Sequence, residues 1–546
     1  MTKIKGKCKR ASLLCLLLLL LGCMCTVRPV YAGGKCTLSV KSGQDITGKL
    51  KTAIRKYDTI RIPSGTYRIS GSLSLDNKTV IQASSGRVVL RQTRSGKSIF
   101  TATRSTKKLT LQNITLDGQN RSGSLLSVKN ASGLTLKSVQ FVNSRSYGLY
   151  MNRSKATLTD CDFNKNKKTN LYALNSSTVT MTNCSVSSGK EGIYLNSKSK
   201  GSLTNVQIAD MSTYGLSLNG SAKLTKAINS TFVRCASKGV YIRKGCSATL
   251  QNCTVAANRM DGIYVDNGKA VLTNCLITGN GHAEKTSTYN SIGYGVRIRN
   301  KASVVMKGGQ VNSNLGYGVI CSSGTLDVQG TAQGYCEFMY NAWSGLSFSG
   351  SNSKIIMNYA RCSENGYDPK GNSEGQNGHG LGVTDGAKGT VRNSIFNHNG
   401  VCGISLFGNK AVLNIESCTA SDNGRHGIGG RKGVTLTAAN MTLNNNVQHG
   451  IMLLDNSTGT MTAVTANDNG KFGLDIGLTT KSVSVNGCTV NGNSDGVYIY
   501  TAKNVRVSNT KGSKNLRYGL YVSRDASAVL SGNTFINNYR KDISIN

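Results

Sequence analysis

The sequence predicts an all-β fold: a right-handed parallel β-helix solenoid with a short capping helix near its start. Three observations carry this. Glycine followed by an apolar residue returns at intervals that are mostly 22 to 24 residues. The residues after each such glycine alternate apolar and polar, and an asparagine often stands four places before it. A fixed period of this length marks a solenoid, in which each turn buries its apolar side against its neighbours.

The anchors run Gly148, Gly192, Gly215, Gly239, Gly262, Gly295, Gly318, Gly345, Gly380, Gly403, Gly427, Gly450, Gly473, Gly496 and Gly519. Asn170 fills the step after Gly148, and Asp542 continues the series. In Gly192-Ile193-Tyr194-Leu195 and Gly262-Ile263-Tyr264-Val265 the period is two, which predicts a strand with Ile, Val and Leu inward and Tyr outward. A leucine-rich repeat would need a leucine and asparagine consensus that is absent. The asparagines before the anchors include Asn258, Asn314, Asn341, Asn399, Asn423 and Asn446. Stacked at a bend, their amides can bond from coil to coil.

Before the repeats, Ile46, Leu50, Ala53 and Ile54 have helical spacing within residues 45–56, and the stretch DTIRIPSGTY at 58–67 reads as strand, turn and strand. A helix over the first coil would shield an open sheet edge. Together with the Gly-apolar-Tyr-apolar coils, these features resemble the pectate-lyase-like β-helix superfamily. That fold hosts lyases, hydrolases, epimerases and non-catalytic proteins, so the resemblance implies architecture more than chemistry. The expected organisation is a signal at 1–32, a cap and first coils at 33–110, and helix repeats at 111–546.

Residues 1–32 read as an export signal. Lys3, Lys5, Lys7, Lys9 and Arg10 precede an apolar core at 13–21, and Val30-Tyr31-Ala32 fits a cleavage site. Leu20-Leu21-Gly22-Cys23 gives an alternative, a lipoprotein anchored to a membrane through Cys23. The chain carries a formal charge of +41, and removing residues 1–32 leaves +35. Such a surplus favours polyanions outside the cell, an acidic polysaccharide first among them. No nucleic-acid recognition module is visible. Thirteen cysteines follow residue 32, with no CxxC pair and no zinc-like spacing. Cys161, Cys184, Cys253, Cys275, Cys418 and Cys488 recur 13 to 15 residues after an anchor, as buried thiols filling a narrow interior would.

Two steps of the repeat are long, 33 residues from Gly262 to Gly295 and 35 from Gly345 to Gly380. The insertions, at 281–294 and 366–379, fall just before their anchors and predict a binding edge. They carry His282, Lys285 and His379. Outward strand positions nearby hold Tyr241, Arg243, Tyr264, Asp266, Arg297 and Arg299, and the one tryptophan, Trp343, lies between the loops. Arginine offers a planar fork for uronate carboxylates, and tyrosine a flat face for a sugar ring. The expected substrate-binding set is Tyr241, Tyr264, Asp266, Trp343, His282 and His379.

In related lyases a Lys or Arg removes the C5 proton of a uronate, often beside calcium held by several Asp. By residue type Arg297, Arg299, Lys285 and Arg243 could fill the catalytic roles. No Asp cluster is legible, so neither calcium nor any other cofactor is expected. Gly378-His379-Gly380 resembles a polygalacturonase motif, yet His426-Gly427 and His449-Gly450 make His before an anchor a repeat position. The expected function is binding, with cleavage by β-elimination, of an acidic polysaccharide. A non-catalytic surface adhesin or wall-associated binder is the alternative.

Overall fold

A computed structural model describes residues 33–75, 79–103, 108–281, 293–366, 378–479 and 481–546. The signal and lipobox readings at 1–32 lie outside them. So do His282 and Lys285. The chain winds as a β-solenoid of about 21 turns, and the described residues hold one helix.

The strand pairings that build the coils are parallel, as a spiral returning to the same direction each turn requires. Each turn contributes to three sheets. Sheet 1 takes the strands after the anchors, such as Val240–Ile242 and Ile263–Asp266. Sheet 2 takes the next strand, such as Ser247–Gln251 and Lys269–Thr273. Sheet 3 takes the last, such as Thr254–Ala256 and Leu276–Thr278. Register is kept residue for residue through most of these pairings, with Ile242 on Val265 and Val265 on Ile298, and shifts at a few points such as between Leu224 and Ala227. Each inward position is therefore a column of like side chains, and Phe141 lies flat on Phe163 with ring centroids 4.5 Å apart.

The predicted helix forms over Thr47–Lys56 and buries Leu50, Ala53 and Ile54. The strand, turn and strand of 58–67 appear as Thr59–Ile62 and Gly65–Ile69. The thirteen described cysteines are all unpaired, and twelve are buried. Burial lifts most of these thiols above the ordinary range, to about 11 at Cys402 and at Cys488, whereas hydrogen bonds from Cys161 and Cys275 hold Cys184 and Cys253 below it.

The asparagine column is longer than the sequence spacing implied. From Asn258 the amides bond in succession through Asn280, Asn314, Asn341, Asn365 and Asn399. They continue through Asn423, Asn446, Asn469, Asn493 and Asn515 to Asn538. Asn280 and Asn365 escape a four-residue rule because an insertion follows each, and Asn493 because its bend is one residue shorter. Asn166, which obeys the rule, bonds instead to Asn170. The column also explains the anchors. A Cβ at Gly318 would lie 2.5 Å from the Gly345 carbonyl oxygen and 2.8 Å from the Asn341 Nδ2. The neighbouring coil, not an unusual backbone angle, demands glycine there.

Both long insertions leave at the same point of the turn, directly after a column asparagine. Their necks are pinched by glycine pairs. A Cβ on Gly281 would meet the Gly293 carbonyl oxygen at 2.6 Å, and one on Gly366 would meet the Gly378 Cα at 2.5 Å.

Candidate functional site on the outward face of sheet 1

Three registers of sheet 1 face outward: the residue before each anchor, the second after it and the fourth after it. Hydrogen bonds from each anchor to the next coil align the first register. Gly215 N–H donates to the Lys238 carbonyl, Gly239 to Asp261, Gly262 to Tyr294 and Gly295 to Tyr317. The second register aligns Ser217, Tyr241, Tyr264 and Arg297.

These registers converge on Asp261, whose side chain is 1% exposed. Arg297 Nε donates to Asp261 Oδ1 at 3.1 Å, and the Tyr294 backbone N–H donates to the same oxygen at 3.3 Å. The Lys238 ammonium, one coil away and buried, lies 5.4 to 5.7 Å from the ring centroids of Tyr264, Tyr241 and Tyr214. Arg243 covers the Tyr241 ring at 4.5 Å, and Arg297 covers the Tyr294 ring at 4.5 Å. Each contact is a cation on the negative face of a ring. Tyr241 and Tyr264 stack with planes 4° apart and centroids 5.0 Å apart. The tyrosine faces expected to meet a sugar are thus occupied by one another and by the cations.

Arg297 and Lys238 flank the Asp261 carboxylate, and Arg243 lies beyond them, near Lys238 and Glu191. Burial pushes the Asp261 carboxyl upward, opposed by Arg297 and Lys238. Burial pushes the Lys238 ammonium downward, opposed by Asp261 and reinforced by Arg297 and Arg243. The polar atoms are incompletely satisfied. Among the described residues nine buried side-chain nitrogen or oxygen atoms have no hydrogen-bond partner, and they include Arg243 Nε, Asp261 Oδ2 and Arg297 Nη2. Buried polar groups are almost always paired in proteins, so three such atoms in one cluster need an explanation.

Of the residues singled out from sequence, Arg243, Arg297, Tyr241 and Tyr264 therefore come together. Trp343 adjoins them, packed edge-on to Tyr317 at 5.0 Å and 6.3 Å from Tyr294. Asp266 and Arg299 are register partners in the fourth position, where Asn300 Nδ2 donates to Asp266 at 2.6 Å. They edge the cluster without entering it. His379 lies four coils beyond Asp261 in the first register, and its Nδ1 accepts from the Cys402 backbone N–H at 3.3 Å. Lys238, Asp261, Tyr294, Tyr214 and Tyr317 were not singled out. All five stand immediately before an anchor, the position at which only histidine drew notice. Among the described residues no group of three His, Cys, Asp or Glu could hold a metal ion, and no helix is long and apolar enough to cross a membrane.

Four overlapping stretches, 98–226, 214–371, 370–510 and 429–546, match the model described as right handed beta helix region. Comparison with curated proteins gives no match. Among solved structures the chain is similar to ORF18 of Geobacillus virus E2, at 13% identity and a TM-score of 0.37, over 65% of this chain and 66% of that one. It is similar to the Dettilon tailspike protein, at 12% identity and a TM-score of 0.42, over 68% of each chain. It is similar to pectate lyase Pel9A, at 12% identity and a TM-score of 0.26, over 60% of this chain and 76% of that one. The chain thus spans about two thirds of the length of the first of these. These likenesses concern the winding of the backbone alone.

Proposed function

The chain belongs to the right-handed β-helix family, and we propose that it binds an acidic polysaccharide on the outward face of sheet 1, at Lys238, Arg243 and Arg297. The observation that carries this reading is the cluster itself: a run of three cations, two of them beside one buried carboxylate, with unpartnered atoms on Arg243, Asp261 and Arg297. A uronate carboxylate would accept from the free guanidinium nitrogens, while a sugar hydroxyl would donate to Asp261 Oδ2. The high positive charge of the chain would draw such a polymer in.

Cleavage by β-elimination is the finer part of the proposal. Lys238, with its proton affinity lowered by burial, takes the C5 proton. The C4–O4 bond breaks, C4 and C5 become doubly bonded, and the departing oxygen takes a proton from the Lys238 ammonium or from water. Arg297 and Arg243 neutralise the uronate carboxylate while negative charge builds on C5. Binding without cleavage is the second reading, favoured by Asp261, which already holds Arg297 at 3.1 Å. We place the protein outside the cell on the strength of residues 1–32, with anchoring through Cys23 as the alternative. Mass spectrometry of the exported chain separates the two.

The test is to incubate the mature protein with polygalacturonate, alginate and sulfated glycans and to follow retention and ultraviolet absorbance. Unsaturated product on one polymer supports the lyase reading, and retention without product supports the binder. Failure to retain any acidic polymer would overturn both.

A further inference from the structure

A second concentration of buried, unpartnered polar atoms lies on the same face, at His426 Nδ1, His449 Nδ1 and Asp475 Oδ1. With the three atoms of the first cluster and Ser217 Oγ, sheet 1 holds seven of the nine. The His449 and Asp475 side chains are 7% and 6% exposed, and His449 Nε2 is 3.7 Å from Asp475 Oδ2. His426 stacks on His449 at 5.0 Å, and Phe472 closes the far side of His449 at 5.0 Å. The imidazoles are held in place by a column of rings rather than by hydrogen bonds at Nδ1.

Beside them the second register turns small. Where the first cluster presents Tyr241, Tyr264 and Arg297, this stretch presents Ser347, Gly382, Ser405 and Gly429 in succession, followed by Met452 and then Asp475. A Cβ at Gly429 would touch the His426 Cδ2 at 3.3 Å and the Met452 Cε at 3.8 Å, so the imidazole and the methionine methyl lean over this end of the floor. A Cβ at Gly382 would meet only the Leu346 carbonyl oxygen, at 3.8 Å. The floor and the histidines run from the coil of Gly345 to that of Gly473, about 24 Å at roughly 4.8 Å per coil. Trp343 stands at one end and Asp475 at the other.

The cluster differs from the first in charge. Burial holds His426 and His449 down to about 3 and about 4, so both are neutral imidazoles through the physiological range. Burial lifts Asp475 to about 7 against the pull of Lys471 and Arg431. A neutral imidazole offers one donor and one acceptor, and a carboxylic acid offers both as well. Such groups match hydroxyls, which donate and accept, rather than a carboxylate, which only accepts.

We propose that His426, His449 and Asp475 form a second saccharide site on this face, taking uncharged, hydroxyl-rich sugar residues beside the small-residue floor. The proposal rests on the reading of sheet 1 as a glycan-binding face. It adds that the polymer carries neutral sugars as well as acidic ones, since the two clusters lie seven coils, about 34 Å, apart along one face.

The test uses the mature chain and a panel of uncharged gluco-, galacto-, manno- and N-acetylglucosamine hexasaccharides. Calorimetry gives affinity, and the imidazole resonances of the chain's five histidines locate the contact. At least one hexasaccharide is expected to shift the His426 and His449 signals. His449→Phe, which keeps a ring in the column, and Asp475→Asn, which keeps the shape, should each weaken that binding about tenfold. Both should leave binding of acidic oligosaccharides unchanged, and Lys238→Met should do the reverse. No shift of either histidine with any uncharged hexasaccharide, or full affinity in both folded variants, overturns the proposal. Either result leaves the acidic-polymer reading standing, which retention of polygalacturonate decides separately.

Discussion

Replacing Lys238 by Met keeps an unbranched stem among the rings of Tyr214, Tyr241 and Tyr264 and removes the ammonium 5.4 to 5.7 Å from their centroids. Two effects oppose each other. Desolvated cation–π contact is worth about 2 kcal/mol. Against it stand burial and repulsion from Arg297 and Arg243, partly offset by Asp261. Burial and these charges together lower the proton affinity of Lys238, and that penalty works against the ring contact. A lysine whose folded value lies below its unfolded one binds fewer protons when folded, and stability rises as pH climbs through that interval. At pH values below that interval the charged residue carries the penalty. Lys238→Met should therefore leave stability unchanged or raise it by up to about 1 kcal/mol in denaturant titrations. Affinity should move the other way. Loss of one charge-assisted hydrogen bond costs about 1.5–3 kcal/mol, a rise of roughly 10- to 150-fold in the Kd for oligogalacturonate measured by calorimetry. A Kd within about twofold of the parent would refute the reasoning. So would destabilisation beyond about 2 kcal/mol, which would make Lys238 a structural cation.

Asn399→Ala should cost about 3–5 kcal/mol in chemical denaturation, because it orphans the backbone N–H of Asn365 and the carbonyl of Cys362 together and cuts the side-chain bonds to Asn365 and Asn423. Arg297→Ala should destabilise by about 3–5 kcal/mol, since Asp261 is left buried beside Lys238 alone; hydrogen exchange at Ile263–Asp266 reads the effect. The native protein should leave its twelve buried thiols unreactive towards a disulfide reagent, and all should react once guanidinium unfolds the coils. Local stability of the strand Ile451–Leu453 should rise as pH climbs from about 4 to about 7 and level off above that. Through this interval the unfolded chain binds protons at His426 and His449 that the folded chain, held to about 3 and about 4, refuses. Asp475, raised to about 7, opposes them over the same interval by holding a proton that the unfolded chain has lost, but two groups outweigh one. Asp475→Asn should therefore steepen the rise, and an unchanged slope would count against this reading.

The winding was legible because a solenoid writes each structural demand once per turn. Gly318 must be glycine for the same reason as Gly345, and Ile242, Val265 and Ile298 repeat because they share one inward column. The site was half legible. Arg243, Arg297, Tyr241 and Tyr264 stood out as outward residues of unusual type. Lys238 and Asp261 did not, because period assigns them to the outer surface without revealing that rings in adjacent coils bury them. Burial of an outward group depends on neighbours about 23 positions away in each direction, and only their side chains decide it. The same blindness hid Asp475, an outward residue in a strand otherwise typical of its sheet. His379 was kept as a substrate contact, while His426 and His449 were noticed and set aside as a repeat position, which they are, but the small floor beside them sets them apart from other such positions.

The asparagine column passes both insertions unbroken, from Asn280 to Asn314 and from Asn365 to Asn399. In each case the excursion begins at the very next residue, through a neck drawn shut by paired glycines. Loop length is thereby uncoupled from the pitch of the spiral. Segments of very different size could be spliced after Asn280 or Asn365 with the turns above and below left in register, so the scaffold can change what it grips while keeping how it winds.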